Sequence, residues 1–272
     1  MNRYKIIYLI SILFLTSSNL YSQELKIAIG QIVCIDSDRS GNFVRIENAI
    51  MEAKSAGADI ITFPETSIYG WVNPAAHKIA FPIPGKDSDR LCKLAKENNI
   101  SICIGLAEKE NDKLYDTAIL INNKGDIILK HRKMNILKEL MTPSYSEGVD
   151  IKTVITEFGN IGILICADTF KEEILKRMKG LKPDLLLIPY GWAAPEKSWP
   201  EHGMELLKVV QNTAKTVGCP VIGTDLAGKI SNGPWTGMTY GGQSVAVNKN
   251  GNILGLGKDR DKDIIIVNIK IN

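Results

Sequence analysis

The chain has 272 residues, of which 44% are hydrophobic and 23% charged, and its formal net charge is +3. This near balance of charge, without a basic stripe interleaved with aromatic residues, argues against nucleic acid as a partner. A chain of this length buries ~70–75% of the surface of its unfolded state, so its fold does not need disulfide bonds. No repeat, low-complexity segment or Pro/Ser-rich linker marks a domain boundary, and we expect one folded domain over residues 23–272.

Residues 1–22 have the pattern of a secretory signal peptide. Arg3 and Lys5 give a basic start, an apolar run follows from Ile6 to Leu15, and small polar residues complete the segment. The run matches the ~7–15 apolar residues of a signal and is shorter than the ~20 of a membrane span. We expect cleavage after residue 22, export to the periplasm or the medium, and no stable membrane insertion afterwards. An uncleaved anchor is the alternative.

From residue 25 onward, hydrophobic periodicity predicts alternating strands and helices. The predicted strands cover 25–32, 59–63, 100–106, 117–122, 126–130, 161–165, 184–189, 221–224, 243–247, 253–256 and 264–269. The predicted helices cover about 43–53, 87–98 and 171–179, and a longer helix is indicated by Met204, Leu207, Val210, Ala214 and Val217, which share one face. Strands 117–122 and 126–130 are typical of a hairpin. The order favours an α/β fold with one large mixed sheet, or with two sheets sandwiched between helices.

Cys166 follows the apolar strand from Ile161 to Ile165 and precedes the helix predicted from Lys171. In α/β folds, side chains at such strand ends point into ligand crevices, and a nearby helix N-terminus lowers the pKa of a thiol. A reactive Cys166 should therefore be alkylated faster than the other four cysteines. Free cysteines are also among the most buried residue types, so packing in the core is the alternative interpretation.

Two further reactive side chains follow predicted strands in the same way. Glu65 comes directly after the strand that ends at Phe63, and Lys133 lies three residues beyond the strand that ends at Lys130. The C-terminal ends of strands are the edge at which open α/β sheets gather their sites. A solvated surface position is the ordinary place of Glu or Lys, so neither residue is informative alone.

Three motifs occur in the order in which one known family carries them: Phe63-Pro64-Glu65, His131-Arg132-Lys133 and Leu164-Ile165-Cys166-Ala167-Asp168. Lys133 follows Glu65 after 68 residues, and Cys166 follows Lys133 after 33. With supporting matches at Tyr115–Leu120 and Gly242-Gln243-Ser244, the sequence resembles the nitrilase, or carbon–nitrogen hydrolase, superfamily from Lys26 to Asn268. The three motifs together are a specific signal, whereas each alone is weak.

The resemblance implies a four-layer αββα sandwich and a role for each matched residue. Cys166 would attack the carbon of an amide or nitrile and form a thioester that water later cleaves. Glu65 would take the thiol proton, pass it to the departing amine or ammonia, and then activate the water. Lys133 and the backbone N–H of Ala167 would stabilise the oxyanion. Family members commonly dimerise through the helices after the cysteine and after the next strand, so a homodimer or a higher homo-oligomer is expected.

Many relatives carry a second glutamate between the lysine and the cysteine, and two residues qualify for that place. Glu139 is favoured over Glu147, because the segment from Lys138 to Ser146 should line the pocket near Lys133. An exposed loop carboxylate is the alternative. Asn135 stands where many relatives have a histidine, and this departure bears on the substrate loop.

Aromatic residues in turn-like segments can form the wall of a substrate pocket. Trp192 is the first candidate for a substrate contact, since it follows the strand beside the cysteine strand, and Tyr69 and Tyr145 are the others. All three could equally cover the core, as half-buried Tyr and Trp often do.

The five cysteines are an odd set without paired spacing, and no metal-ligand spacing of Cys or His occurs. The predicted chemistry needs no cofactor and no metal. We expect an exported, amidase-type hydrolase of a non-peptide C–N bond, with a small-molecule amide as its substrate. An N-carbamoyl hydrolase or a nitrilase is the alternative enzyme, and a non-catalytic binding module of the same fold is the alternative of another class.

Overall fold

The computed structural model describes residues 24–271. The predicted signal peptide, 1–22, lies outside the described residues, so its cleavage and the export stay predictions. The described strands are β1 (Glu24–Gln31), β2 (Ile60–Thr62), β3 (Ser101–Glu110), β4 (Lys113–Ile121), β5 (Ile127–Arg132), β6 (Thr153–Thr156), β7 (Gly159–Ile163), β8 (Leu185–Pro189), β9 (Ala193–Ala194), β10 (Val221–Thr224), β11 (Ala227–Lys229), β12 (Thr239–Gly241), β13 (Val245–Val247), β14 (Ile253–Leu256) and β15 (Asp263–Lys270). The helices are α1 (Arg39–Ser55), α2 (Ala76–Ile79), α3 (Lys86–Asn98), α4 (Glu172–Gly180) and α5 (Glu201–Val217). None of the helices within these residues is long and apolar enough to cross a bilayer.

The strands form two six-stranded sheets and one small sheet. The first sheet has the order β15-β1-β2-β3-β4-β5, the second β14-β13-β10-β8-β7-β6, and the small sheet β11-β12-β9. Strands β1, β2 and β3 are parallel, as are β7, β8 and β10, and the remaining neighbours in the two large sheets are antiparallel. The predicted hairpin is confirmed as β4 and β5. Of the two architectures that the pattern allowed, the chain adopts the one with two sheets.

The two large sheets pack face to face, and helices cover both outer faces. In β1, Leu25, Ile27 and Ile29 lie in the core shared with the second sheet, while Ala28 lies in the core beneath α1. This is the period of two expected for a strand that is covered on both sides. Helices α1 and α3 pack on the first sheet, and α4 and α5 on the second. The resulting layers have the order α, β, β, α.

The predicted inner face of α5 is wrong at the start of the helix. Leu207, Val210 and Ala214 are buried, but Met204 is 50% exposed. Gly203 takes the inward position instead, where a Cβ atom would overlap the side chain of Gln243. The helix therefore approaches Gln243 too closely at this turn for a larger side chain, and Met204 faces outward.

Two hydrogen bonds link the sheets where β2, β8 and β10 end. The hydroxyl oxygens of Thr62 and Thr224 lie 2.6 Å apart, and the backbone N–H of Glu65 donates to the carbonyl of Tyr190 at 3.2 Å. Residues that follow these strands therefore converge at one end of the sandwich.

Candidate active site

Cys166 lies on a sharp turn at that end. Strand β7 stops at Ile163, and a 3-10 turn covers Cys166–Phe170. Cys166 has a positive φ of 38°, which a residue with a Cβ adopts only when its surroundings impose it. Its carbonyl accepts a hydrogen bond from the hydroxyl of Thr169 at 2.7 Å, which helps to hold the turn. The side chain is thereby fixed in a buried position, and the residue is 5% exposed.

Glu65 and Lys133 form a buried ion pair. Nζ of Lys133 lies 2.5 Å from Oε1 of Glu65, and Lys133 and Glu65 are 6% and 0% exposed, respectively. Gly105 lets the backbone of β3 approach this segment, because a Cβ atom there would lie 2.5 Å from Cα of Glu65. Strand β5 is antiparallel to β4 and runs in the direction of β3, so its C-terminal end delivers Lys133 to the edge that carries Glu65.

A second carboxyl group, that of Asp116, also contacts the ammonium of Lys133. Oδ2 of Asp116 lies 3.2 Å from Nζ, and the backbone N–H of Lys133 donates to the carbonyl of Asp116 at 2.8 Å. Sequence reasoning missed this residue, which lies inside β4 within the matched segment Tyr115–Leu120.

The structure does not place the favoured second glutamate beside Lys133. Glu139 lies on an exposed 3-10 turn, Lys138–Leu140. Glu147 is exposed as well and pairs with Lys138 at 2.8 Å. The prediction of Glu139 fails because the turn directs that carboxylate to the surface, and Asp116 from the neighbouring strand occupies the place next to the lysine.

The surroundings of Cys166 favour the neutral thiol. Burial raises the pKa of the thiol well above its usual value, and the charge of Glu65 raises it further, against the lowering effect of Lys133 and of the Gly191 backbone N–H. The predicted low-pKa cysteine is therefore wrong for the resting state. The turn that begins at Cys166 is too short to act as the N-terminus of a helix, and burial outweighs its effect.

Lys133, by contrast, keeps its charge. Burial by itself would lower the pKa of the ammonium, but the charges of Glu65, Asp116 and Cys166 raise it well above its usual value. The site thus holds a permanent cation beside a neutral sulfur nucleophile.

Asp168 ties the lysine segment to the cysteine turn. Its Oδ1 accepts the backbone N–H groups of Met134 and Asn135 at 2.9 Å, and its Oδ2 accepts Nε2–H of His131 at 2.8 Å and the backbone N–H of Ile165 at 3.0 Å. Burial would raise the pKa of Asp168, but these hydrogen bonds lower it below its usual value, so the residue is a stable carboxylate.

Asn135 adds a further link between the same two segments. Its side-chain N–H donates to the carbonyl of Ala167 at 2.6 Å. The departure from the family pattern at this position therefore serves the turn that carries Cys166. Ala167 is itself buried in the first turn after the cysteine, where backbone N–H groups lack an intrahelical acceptor.

Of the three aromatic candidates, only Tyr145 lies beside Lys133. It lines a cavity of about 20 Å³, and its buried hydroxyl has no partner among the described residues. The other lining residues are Trp71, Val72, Lys133, Ile136, Leu137 and Leu140. A larger cleft of about 450 Å³ contains none of the three predicted catalytic residues.

The structure places Tyr69 and Trp192 elsewhere. The hydroxyl of Tyr69 donates to Asp87 at 2.6 Å, which anchors the ring in the core beneath α1. The indole of Trp192 stacks on His202 of α5 and donates to the carbonyl of the same residue at 3.2 Å. The structure therefore favours the alternative interpretation for both residues, in which Tyr69 and Trp192 cover the core.

Trp71, rather than Tyr69 or Trp192, joins Tyr145 in lining the cavity beside Lys133. Its ring packs edge-on against Trp235 and Tyr240. A Cβ atom on Gly191 would lie 2.7 Å from Trp71 and 3.1 Å from Oε2 of Glu65, so Gly191 keeps the space between them open.

All five cysteines are free thiols. Burial raises the pKa of Cys34, Cys103 and Cys219, and for Cys219 it reaches about 12. Only the Cys166 thiol feels the charges of both Lys133 and Glu65. Cys166 therefore differs from the other cysteines in its charged neighbours, Lys133 and Glu65, and not in its burial.

Comparisons with known proteins identify the family of this chain. A family model described as carbon-nitrogen hydrolase matches residues 26–272. The chain is similar to an (R)-stereoselective amidase from Pseudomonas sp, with 26% identity over 89% of this chain and 84% of the amidase. It is also similar to Nitrilase 3 from Arabidopsis thaliana, with 29% identity over 53% of this chain, and it spans about half, 48%, of that relative.

Among solved structures, the chain is similar to a mutant amidase from Nesterenkonia sp. AN1 that carries the acetamide moiety of fluoroacetamide on its active-site cysteine. The identity is 20%, the TM-score is 0.78, and the match covers 90% of each chain. At this identity the likeness is one of fold.

Proposed function

The chain belongs to the carbon–nitrogen hydrolase family, and on this premise we propose that it is an amidase that works through a cysteine thioester. The observation that supports this proposal is the buried 2.5 Å contact between Glu65 and Lys133, whose charges both act on the Cys166 thiol. These side chains are far apart along the sequence and lie at the ends of different strands. A base, a cation and a nucleophile in one buried space are the groups that acyl transfer requires.

In the proposed reaction, Glu65 accepts the proton of the Cys166 thiol while the sulfur attacks the amide carbonyl. Lys133 and the backbone N–H of Ala167 stabilise the oxyanion that forms. Protonated Glu65 then gives its proton to the leaving nitrogen as the C–N bond breaks, which leaves a thioester. Glu65 next takes a proton from water, whose oxygen attacks the thioester, and this proton returns to the sulfur when the acid leaves.

A small, uncharged acyl group fits the apolar cavity beside Lys133, which neither Glu65 nor Cys166 lines directly. Apart from Lys133, the lining of the 20 Å³ cavity consists of apolar and aromatic residues, among them Trp71 and Leu140. A cavity of this size holds about one water-sized group. The match to an amidase over most of its length, against about half for the nitrilase, favours an amide substrate.

Release of ammonia from a series of amides tests the proposal. We expect turnover of short aliphatic amides such as acetamide and propionamide, with the rate falling as the acyl chain lengthens. Cys166→Ala should lower kcat by at least about 10⁴-fold, as loss of a nucleophile does. Glu65→Gln should lower kcat by about 10²–10⁴-fold.

Cys219→Ala is the matched control, since it removes a buried thiol that lies outside the site and should keep the parent rate. Urea, N-carbamoyl amines and nitriles belong in the same screen. Preferred turnover of one of these would replace the amidase assignment with the corresponding hydrolase. No turnover of any compound would leave the non-catalytic binding module, and full activity of Cys166→Ala would contradict the thioester mechanism.

We also propose that residues 1–22 direct export, on the basis of their basic start and short apolar run. Mass spectrometry of protein from the exported fraction should find an N-terminus at Gln23. Full-length protein retained with the cytosolic or membrane fraction would contradict this proposal.

A further inference from the structure

Lys133 is the cation that two buried carboxyl groups share. Its ammonium lies 2.5 Å from Oε1 of Glu65 and 3.2 Å from Oδ2 of Asp116. Glu65 and Asp116 are 0% and 1% exposed. The pairing of Asp116 with the backbone of Lys133 keeps both carboxyl groups at the same nitrogen.

Both carboxyl groups contact the same nitrogen, and a hydrogen bond with Glu65 contributes to the raised pKa of Asp116. Two ionised carboxylates can only accept, so a hydrogen bond between them requires a proton on one. Oε2 of Glu65 and Oδ1 of Asp116 are buried and have no other partner among the described residues. Two carboxylates with one ammonium would also leave an unpaired negative charge away from water, which is strongly unfavourable.

We propose that Asp116 holds this proton and works as a neutral acid, so that Glu65 is the only ionised carboxylate beside Lys133. The distances assign the charges, because the ammonium lies closer to Glu65 than to Asp116. The electrostatic surroundings agree: burial raises the pKa of Asp116 well above its usual value, and the charge of Glu65 raises it further.

Among residues 24–271, the other titratable groups that act on Asp116 bring no second positive charge. They are the thiol of Cys166 and the phenol of Tyr145, and burial together with the nearby carboxyl groups raises the pKa of both. Both are therefore neutral at rest. The charge of the pocket is set by Lys133 and by the two carboxyl groups alone.

This inference takes from the proposed function the role of Glu65 as the base. A second negative charge would oppose each step that places negative charge on the sulfur or on the oxyanion. A neutral Asp116 avoids this repulsion and orients Glu65 by donating its O–H. Asp116 is thus a positioning residue, and its ionisation at high pH should end turnover.

Infrared spectroscopy of the resting protein tests the assignment without any turnover. Protein labelled with ¹³C-aspartate should show, at neutral pH, a carbonyl stretch of a protonated carboxyl group that shifts with the label. Part of this band should be absent from Asp116→Asn. Asp225→Asn is the matched control, since burial also raises the pKa of Asp225, and it should remove a different part of the band.

Glu65→Gln provides a second arm that does not depend on the folding of Asp116→Asn. Because this substitution removes the charge at position 65, Asp116 becomes the sole counter-ion of Lys133 and should ionise. The part of the labelled band that belongs to Asp116 should therefore disappear from Glu65→Gln. If it persists there, or if Asp116→Asn leaves the band of the parent unchanged, Asp116 is not the protonated group.

Kinetics supply the independent readout. Asp116→Asn, an uncharged mimic of the acid, should lower kcat/KM at neutral pH by about tenfold or less, the net value of one hydrogen bond. Its activity should persist to higher pH than that of the parent enzyme, because the group whose ionisation stops turnover is gone. A loss of kcat/KM as large as that of Glu65→Gln would overturn the proposal. Inactivity of the parent enzyme would instead contradict the proposed function, and the infrared result on Asp116 would remain valid.

Discussion

At the scale of single residues, the key property of the resting site is the protonation state of the Cys166 thiol. The thiol is buried and stays neutral, since burial and the carboxylate of Glu65 both raise its pKa. Lys133 is already paired with that carboxylate and cannot fully offset it. In the proposed mechanism, attack on a substrate therefore transfers the thiol proton to Glu65 in the same step, which couples the nucleophile to its base.

Removal of the base should increase the resting thiolate although it stops turnover. In Glu65→Gln the negative charge passes from Glu65 to Asp116, whose charge raises the pKa of the thiol less than that of Glu65 does, so the pKa of Cys166 should fall. The ultraviolet absorbance of the thiolate, followed against pH with Cys166→Ala as the background, measures this change. An unchanged or higher pKa in Glu65→Gln would show that the carboxylate does not control the thiol.

At the scale of the elements, Asp168 joins two segments that strand pairing alone leaves separate. Strand β5 belongs to the first sheet and β7 to the second, and the residues after them carry Lys133 and Cys166. The carboxylate of Asp168 accepts three hydrogen bonds across this gap, from His131, Met134 and Asn135, and a fourth from Ile165 in its own segment. The relative position of the cation and the nucleophile therefore depends on one buried charge.

Asp168→Asn should weaken this junction, because an amide N–H group replaces one acceptor oxygen. We expect the free energy of unfolding to fall by about 2 kcal/mol, as for the loss of hydrogen bonds to a charged group. We expect kcat to fall by up to about 10²-fold, since misplacement of catalytic groups by ~1 Å has that effect. Urea denaturation and ammonia release measure the two changes.

The difference in stability should depend on pH in a defined direction. The pKa of Asp168 is lowered from 3.8 in the folded state, so its stabilisation is present above pH 3.8 and is lost as the pH falls through the folded value. The gap between parent and Asp168→Asn should thus close in acid. Asp184→Asn is the matched control. Asp184 directly precedes β8, and its carboxylate accepts the backbone N–H of Asn160 at 2.8 Å. This contact lies at the N-terminal ends of the strands, away from the candidate site. If Asp184→Asn lowers kcat as much as Asp168→Asn does, the junction is not specific to the site.

The sequence suggested Glu65, Lys133 and Cys166 as catalytic residues, because each follows an apolar strand and belongs to a motif with characteristic spacing, and these roles stay predictions. Asp116 could not be predicted in the same way. It lies inside a strand, where pattern alone does not separate a buried carboxyl group from an exposed one. The pairing of β4 with β5 brings it to Lys133, and that pairing register is a property of the folded sheet.

The loop residues were harder to predict for a related reason. Glu139 was placed by its proximity to Lys133 in the chain, but the direction of a side chain on an irregular turn is set by the local backbone. Tyr69 and Trp192 lie in connecting segments as expected, yet each finds its hydrogen-bond partner away from Lys133, in Asp87 and His202. Periodicity predicts which elements form and gives little information on where the connecting segments direct their side chains.

At the scale of the whole molecule, α5 and the cysteine turn each carry one exposed large apolar residue. Phe170, at the end of that turn, is 45% exposed and packs edge-on against Trp192, which stacks on His202 of α5. Met204, two residues further along α5, is 50% exposed. An apolar face of this kind fits the homodimer that the family resemblance implies, and it would connect the dimer contact directly to the turn that holds Cys166.

We therefore expect the protein to be a dimer in solution and the substitution Met204→Glu to weaken it. A carboxylate buried in an apolar contact loses its hydration, so the dissociation constant of the dimer should rise by at least about tenfold, equivalent to about 1.4 kcal/mol. Sedimentation velocity over a range of concentrations measures the shift. Met51→Glu is the matched control, because Met51 is 53% exposed on α1, on the opposite side of the sandwich, and its substitution should leave the dimer intact. A monomeric parent protein, or equal dissociation of both variants, would remove α5 as the dimer face and with it any mechanical link between assembly and the cysteine turn.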